Sequence, residues 1–283
     1  MAASVTTDES GAGAVEALEI GLLLEGIRQH YGHDLRGLRP DLVRACVHAM
    51  MVRYRLPSVS ALQHGVLHEP GICTALLRML SPPPCSLFDD PEHFRLLRAT
   101  LVPLLRQSAA PKIWIAECAC AEQVNTLAIL LSEEGLYERT RIFATAANEA
   151  LLQEAREGRF AVERLPEYAD NYCRSGGRAR LSDYVERRDG AAVFSAHLHA
   201  NVTWAQYSLA TDASFNEFQL IICRRAMFAY GISLQRRALQ VFDDSMALYG
   251  ILSVDRGDQF AAMPLALRYE GFGTQPGLYR RIV

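Results

Sequence analysis

Cysteine and histidine side chains occur in two closely spaced pairs that could bind a metal ion. One residue separates Cys118 from Cys120, and one residue separates His197 from His199. Thiolate and imidazole groups are usual ligands of zinc, but the Cys-x-Cys spacing is uncommon in structural zinc sites. Alternation along a strand would also direct only some of these side chains inward. We therefore predict no metal site and interpret the cysteines as buried neutral thiols.

Two charged residues follow apolar segments that are predicted to be strands of a sheet. Glu122 comes shortly after the segment KIWIAE and opens a helical segment, whereas Arg224 directly follows the segment FQLIIC. Open α/β sheets bind their ligands at the carboxyl ends of the strands, so both residues are candidates for a binding site. An acid in the first helical turn is also favoured by the helix dipole alone. Arg224, for which we favour a site role, could instead form a structural salt bridge with Glu117 or Asp89.

Hydrophobic periodicity divides the chain into a helical part and an α/β part. Apolar residues recur at three- and four-residue steps over 15–80, the spacing of amphipathic helices. The small and polar segment 1–14 before them is expected to be disordered. Apolar strands alternate with helices over 112–283, a pattern typical of a doubly wound parallel sheet. We assign residues 81–111, which include three consecutive prolines, to a linker and connecting helix.

The composition argues against several classes of protein. The 283 residues include 29 basic and 32 acidic side chains, without the basic excess that a nucleic-acid binder normally carries. No apolar run approaches the roughly 20 residues that a membrane helix requires, and no signal peptide opens the chain. The seven cysteines are odd in number and irregularly spaced, as in proteins that keep their thiols reduced. We therefore expect a cytoplasmic protein that neither enters a membrane nor binds nucleic acid.

A set of motifs in a fixed order carries the strongest signal of function. The motifs are LFDDPEHF at 87–94, ECACAEQ at 117–123, IFAT at 142–145, AREGRF at 155–160, FQLIICR at 218–224 and GLYR at 277–280. This set resembles that of the chemotaxis receptor methyltransferases of the CheR type, and the resemblance covers roughly residues 30–283. It implies an amino-terminal helical domain followed by a doubly wound, Rossmann-like methyltransferase domain with a small β subdomain. It also implies transfer of a methyl group from S-adenosylmethionine to receptor glutamates.

The turn that would hold the cofactor departs from the family pattern. The family has Cys-Ser-Thr-Gly-Glu-Glu, whereas this chain has Cys-Ala-Cys-Ala-Glu-Gln, so that Cys120 and Ala121 replace a hydroxyl residue and the turn glycine. Alanine is tolerated there only if the backbone does not need a positive φ. Glu117 adds bulk and an acid where a small residue is expected. Glu122 persists.

The positions that would hold the ribose and the adenine have also changed. The family motif Thr-Asp, whose aspartate binds the ribose, is Thr145-Ala146 in this chain. Loss of such a charge-assisted hydrogen bond typically costs about 1.5–3 kcal/mol. Asn148 is an unfavourable substitute because of its register. His197 stands where the family has an asparagine that contacts adenine.

The side that would hold the methyl acceptor is altered as well. Asp89 replaces a family arginine, and it would repel a substrate glutamate where the arginine would orient it. Arg224 persists, but the next residue is Arg225 where the family has asparagine. The family tyrosine aligns with Ala229, and Tyr230 follows one position late.

Two further regions are candidates for protein binding. A helix around 40–55 is predicted to place Arg44, His48 and Arg55 on one face. In the resembled family a basic helix of the amino-terminal domain contacts acidic receptor helices, although a merely solvated face would show the same pattern. Residues 160–190 correspond to the family's small β subdomain, which can dock receptor tails, and a loose surface excursion is an equal alternative.

These departures lead to three hypotheses about function. In the first, the chain keeps the fold, uses no cofactor, and binds a protein partner, such as an acidic receptor helix, in a signalling or regulatory complex. In the second, it is an active protein-glutamate O-methyltransferase that uses S-adenosylmethionine in a remodelled pocket. Glu117 or Glu122 would then hold the cofactor, while Arg224 and Tyr230 would serve the acceptor. In the third, Arg224 and Arg225 bind a nucleotide.

Overall fold

The first part of the chain folds into helices, as its apolar periodicity predicts. The computed structural model describes residues 8–255, 260, 263–272 and 276–283. The helices are α1 (Asp8–Tyr31), α2 (Pro40–Tyr54), α3 (Val59–His68) and α4 (Pro70–Leu80). Prolines occupy the first positions of α2 and α4, where a missing N–H costs nothing. Ser58 caps α3 by accepting a hydrogen bond from the backbone N–H of Ala61.

These helices form the core of one compact unit, Met1–Ser81 with Ala229–Leu234, which we call the amino-terminal unit. Its core residues include Leu23, Ile27, Met50, Leu62 and Leu76. Helix α1 begins at Asp8, inside the segment 1–14 that we predicted to be disordered, and residues 1–7 of that segment lie outside the described residues. Gly11 and Gly13 disfavour a helix in this segment, so its composition gave no reason to extend the helix into it.

Strands and helices alternate in the second part of the chain. The strands are β1 (Lys112–Ala116), β2 (Arg141–Ala146), β3 (Arg159–Phe160), β4 (Val185–Arg188), β5 (Ala191–Phe194), β6 (Val202–Gln206), β7 (Phe218–Cys223), β8 (Met246–Val254), β9 (Tyr269–Gly271) and β10 (Leu278–Arg281). The helices are α5 (Pro91–Gln107), α6 (Ala121–Glu133), α7 (Glu149–Glu157), α8 (Leu165–Arg174) and α9 (Ile232–Asp244). None of the helices within the described ranges combines the length and hydrophobicity that crossing a bilayer requires.

A mostly parallel sheet forms the centre of the second compact unit, Pro82–Phe228 with Gln235–Val283, which we call the sheet unit. The strand order among the described residues is β6-β2-β1-β7-β8-β10-β9, with β10 antiparallel to both of its neighbours. The order reverses between β1 and β7, and this topological switch point is where open α/β sheets bind their ligands. The predicted doubly wound sheet is therefore confirmed.

The sheet is buried on both faces because its central strands are continuously apolar. Ile113 and Ile115 on β1 pair with Leu220 and Ile222 on β7, and all four side chains are buried. A second, antiparallel sheet in the order β3-β5-β4 forms the small β subdomain. Trp114 packs against Phe218 and Phe242, and its Nε1 donates to Thr145 Oγ1 at 2.8 Å.

A buried ionic network joins α5, α6 and α8 of the sheet unit. Arg98 Nη2 lies 2.6 Å from Glu133 Oε2, and Arg98 Nη1 lies 3.0 Å from Glu134 Oε1. Glu133 also accepts hydrogen bonds from the Tyr172 hydroxyl and the backbone N–H of Arg178. Burial raises the pKa of Glu133, but these hydrogen bonds and the guanidinium group outweigh burial and leave that pKa below its ordinary value.

We predict that Arg98→Met lowers the free energy of unfolding by about 3–5 kcal/mol at neutral pH, because it leaves the buried carboxylate of Glu133 without its cation, whereas Glu134 keeps Arg106 and Arg178. The wild type should lose the contribution of Glu133 as the pH falls through its lowered pKa. Without Arg98 that pKa rises, so the stability difference between variant and wild type should shrink at about pH 4. Urea unfolding at both pH values measures this difference, with Arg95→Met, from an exposed ion pair, as the control. A difference that grows in acid would contradict the assignment.

Candidate functional site

The turn after β1 lies at the topological switch point and has an unusual backbone. Glu117 has φ 54°, in the left-handed region that favours glycine. The backbone N–H of Cys118 donates to Thr145 O at 2.8 Å, and that of Ala119 donates to Gln123 Oε1 at 2.8 Å. Ala121 is the first residue of α6 and has no positive φ. The turn therefore needs a positive φ at Glu117 and not at position 121, so alanine is tolerated there.

Glu122 is buried and held by residues of the neighbouring segment. Its Oε1 lies 3.1 Å from Arg164 Nη1 and accepts a hydrogen bond from the Tyr168 hydroxyl. Arg164 Nη2 also donates to the backbone carbonyl of Cys85 at 3.0 Å. Burial and the contact with Glu122 raise the pKa of Tyr168 far above its ordinary value, so the phenol stays a donor. The contacts of Glu122 are those of a structural residue.

The end of β2 offers no acidic group at the position expected to hold a ribose. Ala146 is buried, and its carbonyl accepts a hydrogen bond from the backbone N–H of Tyr207 at 3.1 Å. The hydroxyl of Thr145 accepts from Trp114 Nε1. Asn148 Oδ1 caps α7 by accepting from the backbone N–H of Ala150 at 3.0 Å.

His197, the residue at the position predicted to contact adenine, lies close to His199 in the chain but differs from it in exposure. His197 lies in the short 3₁₀ helix Ala196–His199, and its side chain is exposed. His199 packs against Trp204 and is partly buried, which lowers its pKa. The two histidines of the His-x-His pair therefore differ in exposure.

A cluster of charges closes the carboxyl ends of β7 and β8. Arg224 Nη1 lies 3.6 Å from Asp89 Oδ1, and Arg224 Nη2 lies 3.3 Å from Asp90 Oδ2. Arg225 Nη1 lies 2.9 Å from Asp89 Oδ2, and the backbone N–H of Arg225 donates to both Asp255 oxygens at 2.7 Å. We call these five residues the charge cluster. Asp89 thus pairs with two arginines, where the sequence analysis expected it to repel a substrate.

Three side chains of the charge cluster are largely buried. The side chains of Arg224, Asp89 and Asp90 are 16%, 18% and 20% exposed. Burial raises the pKa of Asp255, against the opposing effects of the Arg225 N–H and both guanidinium groups. Asp90 has a second task, because its Oδ1 accepts a hydrogen bond from the backbone N–H of His93 at the start of α5.

Only a small space remains beside the charge cluster. A cavity of about 20 Å³ lies there, bordered by Cys85, Phe94, Gln123, Thr126 and Arg224 among others. Small-molecule sites usually have volumes of about 300–1,000 Å³, whereas this cavity suffices for about one water molecule. Arg224 Nε and Nη1, which border it, have no hydrogen-bond acceptor among the described residues.

Several residues near the charge cluster have a strained backbone conformation. Phe88 and Arg225 have φ values of 50° and 71°, and with Glu117 they put three non-glycine residues in the left-handed region around the cluster. Each such residue costs on the order of 1–3 kcal/mol and persists only when its surroundings hold it. Such strain is concentrated at functional sites.

The remaining predicted site residues lie in the amino-terminal unit. Tyr230 is buried, and its backbone forms an isolated β-bridge with Leu38. Arg44 Nε lies 3.8 Å from Glu16 Oε2, and His48 Nε2 contacts the other oxygen of the same carboxylate. Arg55 does not share their face, because α2 ends at Tyr54 and Arg55 takes a left-handed conformation as its carboxyl cap. The prediction that Arg55 continues the helical face is therefore wrong.

Sequence reasoning missed several residues of the site. Asp90 stands beside Asp89 in the quoted motif, so its charge was visible, but its pairing with Arg224 depends on how two distant segments meet. Asp255 follows β8 directly, a position that could have marked it as a candidate at the carboxyl edge of the sheet. Nothing in the sequence singled out Arg164 as the partner of Glu122.

Comparisons with known proteins identify relatives of the whole chain. A family model described as CheR methyltransferase, SAM binding domain, matches residues 85–271. The Pseudomonas putida protein named "Putative methyltransferase Cher3" is 38% identical over 265 residues, which are 93% of this chain and 97% of that protein. A chemotaxis protein methyltransferase of Listeria innocua is 23% identical over 176 residues, which are 62% of this chain and 64% of that protein.

Solved structures show a weaker likeness. The N-methyltransferase NodS from Bradyrhizobium japonicum, in complex with S-adenosyl-L-homocysteine, has a TM-score of 0.37 and 14% identity. The alignment covers 69% of this chain and 87% of that chain. A likeness of this size says nothing about ligand or mechanism.

We predict that Asp89→Ala lowers the free energy of unfolding by about 3 kcal/mol, because the buried guanidinium group of Arg224 and the partly exposed one of Arg225 lose a shared partner. Glu92→Ala is the matched control, since Glu92 lies three residues away in an exposed pair with Arg95. The control should cost less than about 1 kcal/mol. Urea unfolding of the two variants measures both effects, and equal losses would show that Asp89 does not hold the cluster.

Proposed function

Because this chain belongs to the CheR methyltransferase family, we propose that it keeps the family fold, has lost efficient use of S-adenosylmethionine, and acts by binding a protein partner in a cytoplasmic signalling complex. The charge cluster carries the proposal. Asp89 and Arg225 both differ from the family pattern, and they differ together as an ion pair of 2.9 Å. Such paired changes maintain a folded protein without maintaining the family's acceptor site.

The residues at the ribose position do not fit S-adenosylmethionine. A ribose offers two hydroxyl groups, and Ala146 presents neither donor nor acceptor in its side chain. The nearby Thr145 hydroxyl is uncharged and already accepts a hydrogen bond from Trp114 Nε1, and Asn148 Oδ1 caps α7. A bound nucleoside would therefore lack the charge-assisted hydrogen bond that typically contributes about 1.5–3 kcal/mol.

The acceptor side does not fit methyl transfer either. Transfer needs the acceptor and the sulfonium centre about 3–3.5 Å apart in one pocket. The cavity beside Arg224 has about 20 Å³, and the Arg224 guanidinium group already faces two aspartates. A substrate carboxylate at this arginine would lie beside the carboxylates of Asp89 and Asp90, which would repel it.

The names of the relatives favour a second candidate function. The proteins from Pseudomonas putida and Listeria innocua are named as methyltransferases, so an active protein-glutamate O-methyltransferase with a remodelled pocket is the alternative. This alternative requires the charge cluster to open, so that Arg224 leaves Asp89 and Asp90. Tyr230, which would serve the acceptor in this alternative, belongs to the amino-terminal unit, where its backbone forms a β-bridge with Leu38.

The chemistry of the partner follows from the surface of α2. Glu16 brings its carboxylate to Arg44 and His48, both of which are about half exposed. This face therefore already accepts a carboxylate from a neighbouring helix. We infer that an acidic helix of a partner protein competes with Glu16 for Arg44 and His48.

We predict that S-adenosylhomocysteine gives no saturable heat at micromolar concentration in calorimetry with the wild type, because the ribose lacks an acceptor. Ala146→Asp should strengthen binding by about ten- to a hundredfold, which corresponds to the missing hydrogen bond. Ala205→Asp adds the same charge on the adjacent strand at an exposed position and should change nothing. Micromolar binding to the wild type would contradict the proposal. Methyl transfer to an acidic receptor fragment that Arg224→Ala abolishes would establish the second candidate.

We also predict that Glu16→Gln tightens binding to a synthetic glutamate-rich helical peptide about two- to fivefold, since it removes the carboxylate that pairs with Arg44. Arg44→Ala should weaken binding by a similar factor, and Arg95→Ala, from an exposed pair in the sheet unit, should not. Fluorescence anisotropy at low salt measures these affinities. Unchanged affinity in both Glu16→Gln and Arg44→Ala would exclude this face.

A further inference from the structure

Two cysteine thiols face each other beside the charge cluster. Cys85 Sγ lies 2.9 Å from Cys120 Sγ, and the backbone N–H of Cys85 donates to the same Cys120 sulfur at 3.4 Å. Both residues are buried within the sheet unit. Neither thiol has a task in the proposed function, and Cys120 stands where the resembled family has a hydroxyl residue.

We propose that Cys85 and Cys120 are a modification site, at which hydrogen peroxide converts the two thiols into a reversible disulfide. A disulfide bond is about 2.0 Å long, so the two sulfurs need to approach by only about 0.9 Å more. Two contacts of Cys120 Sγ with Cys85 fix this approach, because the sulfur touches both the thiol and the backbone N–H of that residue.

Three other thiols are directed elsewhere or lie at the surface. Cys118 is fully buried, and its Sγ is directed at the backbone carbonyl of Cys120 at 3.6 Å. Cys46 Sγ is directed at the carbonyl of Met79 in the amino-terminal unit. Cys173 is exposed and serves as an internal comparison for the reactivity of a free thiol.

The small cavity beside Cys85 limits the size of the oxidant that can reach this thiol. The cavity that Cys85 borders has about 20 Å³, enough for about one water molecule. Hydrogen peroxide has two oxygen atoms and is the smallest two-electron oxidant of thiols that such a space admits with slight widening. A tripeptide disulfide such as oxidised glutathione is far too large, so exchange with it is disfavoured at this site.

The reaction balances with one peroxide for each pair of thiols. The Cys85 thiolate attacks one oxygen, the O–O bond breaks, and the leaving hydroxide takes up the thiol proton as water, which leaves a sulfenic acid on Cys85. The Cys120 sulfur then attacks the Cys85 sulfur, the S–O bond breaks, and the departing hydroxide takes the Cys120 proton as a second water. Two thiols are oxidised and one peroxide is reduced to two waters.

The environment makes this reaction slow. The hydrogen bond with Cys120 and burial hold the pKa of Cys85 well above its ordinary value, so the reactive thiolate is scarce at neutral pH. We therefore expect Cys173 to be alkylated or oxidised first and the buried pair to follow.

A disulfide bond between Cys85 and Cys120 would hold the segment that carries Asp89 against α6. Cys85 lies four residues before Asp89 of the charge cluster, and Cys120 is the amino-terminal cap of α6. Arg164 already links the Cys85 carbonyl to Glu122 on α6. A covalent bond at the same place would tie the segment that carries Asp89 to this helix, and it would raise the temperature of unfolding.

Peptide mapping of the full-length protein after treatment with hydrogen peroxide tests the proposal. Free thiols are blocked with iodoacetamide before digestion with trypsin. We expect the tryptic peptide 79–95 cross-linked to the peptide 113–139, with a mass lower by two hydrogen atoms than the sum of the peptide 79–95 and the peptide 113–139 alkylated at Cys118 alone. Dithiothreitol should separate them, and the oxidised protein should melt at a higher temperature than the reduced protein.

Variants distinguish the partners, since Cys118 and Cys120 share one peptide. Cys85→Ser and Cys120→Ser should each abolish the cross-link, whereas Cys118→Ser and Cys173→Ser should retain it. Near-ultraviolet circular dichroism of each reduced variant shows whether it is folded. The peptide map of the wild type tests the proposal even if a variant fails to fold. Oxidation confined to Cys173, a cross-link through Cys118, or an unchanged melting temperature in the cross-linked protein would overturn the proposal.

Discussion

The pairing of Asp89 with two arginines is the interaction on which the site depends. Arg224 and Arg225 follow the central strand β7 at the topological switch point, where an open α/β sheet presents its ligand. Their charges need partners because the side chains are largely buried. Asp89 supplies the shared partner, while Asp90 and Asp255 complete the cluster. The carboxyl ends of β7 and β8 are therefore occupied by ion pairs of the protein itself.

The turns near the charge cluster have strained backbone conformations of the kind found at functional sites. Phe88, Glu117 and Arg225 all adopt left-handed conformations, which glycine would adopt at less cost. Packing around them must supply the difference, and the continuously apolar strands β1 and β7 provide it. Under the proposed function, the fold of the CheR methyltransferase family keeps these turns because the sheet is built around them, while Ala146 and the charge cluster no longer serve methyl transfer.

The sequence predicted the sheet because its central strands are continuous apolar runs, as at Ile113 and Leu220. It did not predict β6, a partly exposed edge strand of mixed polarity that gives little periodic signal. The pairing of Arg224 with Asp89 was one of two alternatives, and only the fold shows that it is formed, since these residues are separated by more than a hundred positions. The strain at Glu117 could not be predicted either, because it depends on the backbone path between β1 and α6.

A crystal structure grown with excess S-adenosylhomocysteine tests the central claim most directly. The account predicts that Arg224 and Arg225 remain paired with Asp89 and that no nucleoside lies beside Ala146. A nucleoside thioether seated next to Ala146, with Arg224 released from Asp89, would contradict it.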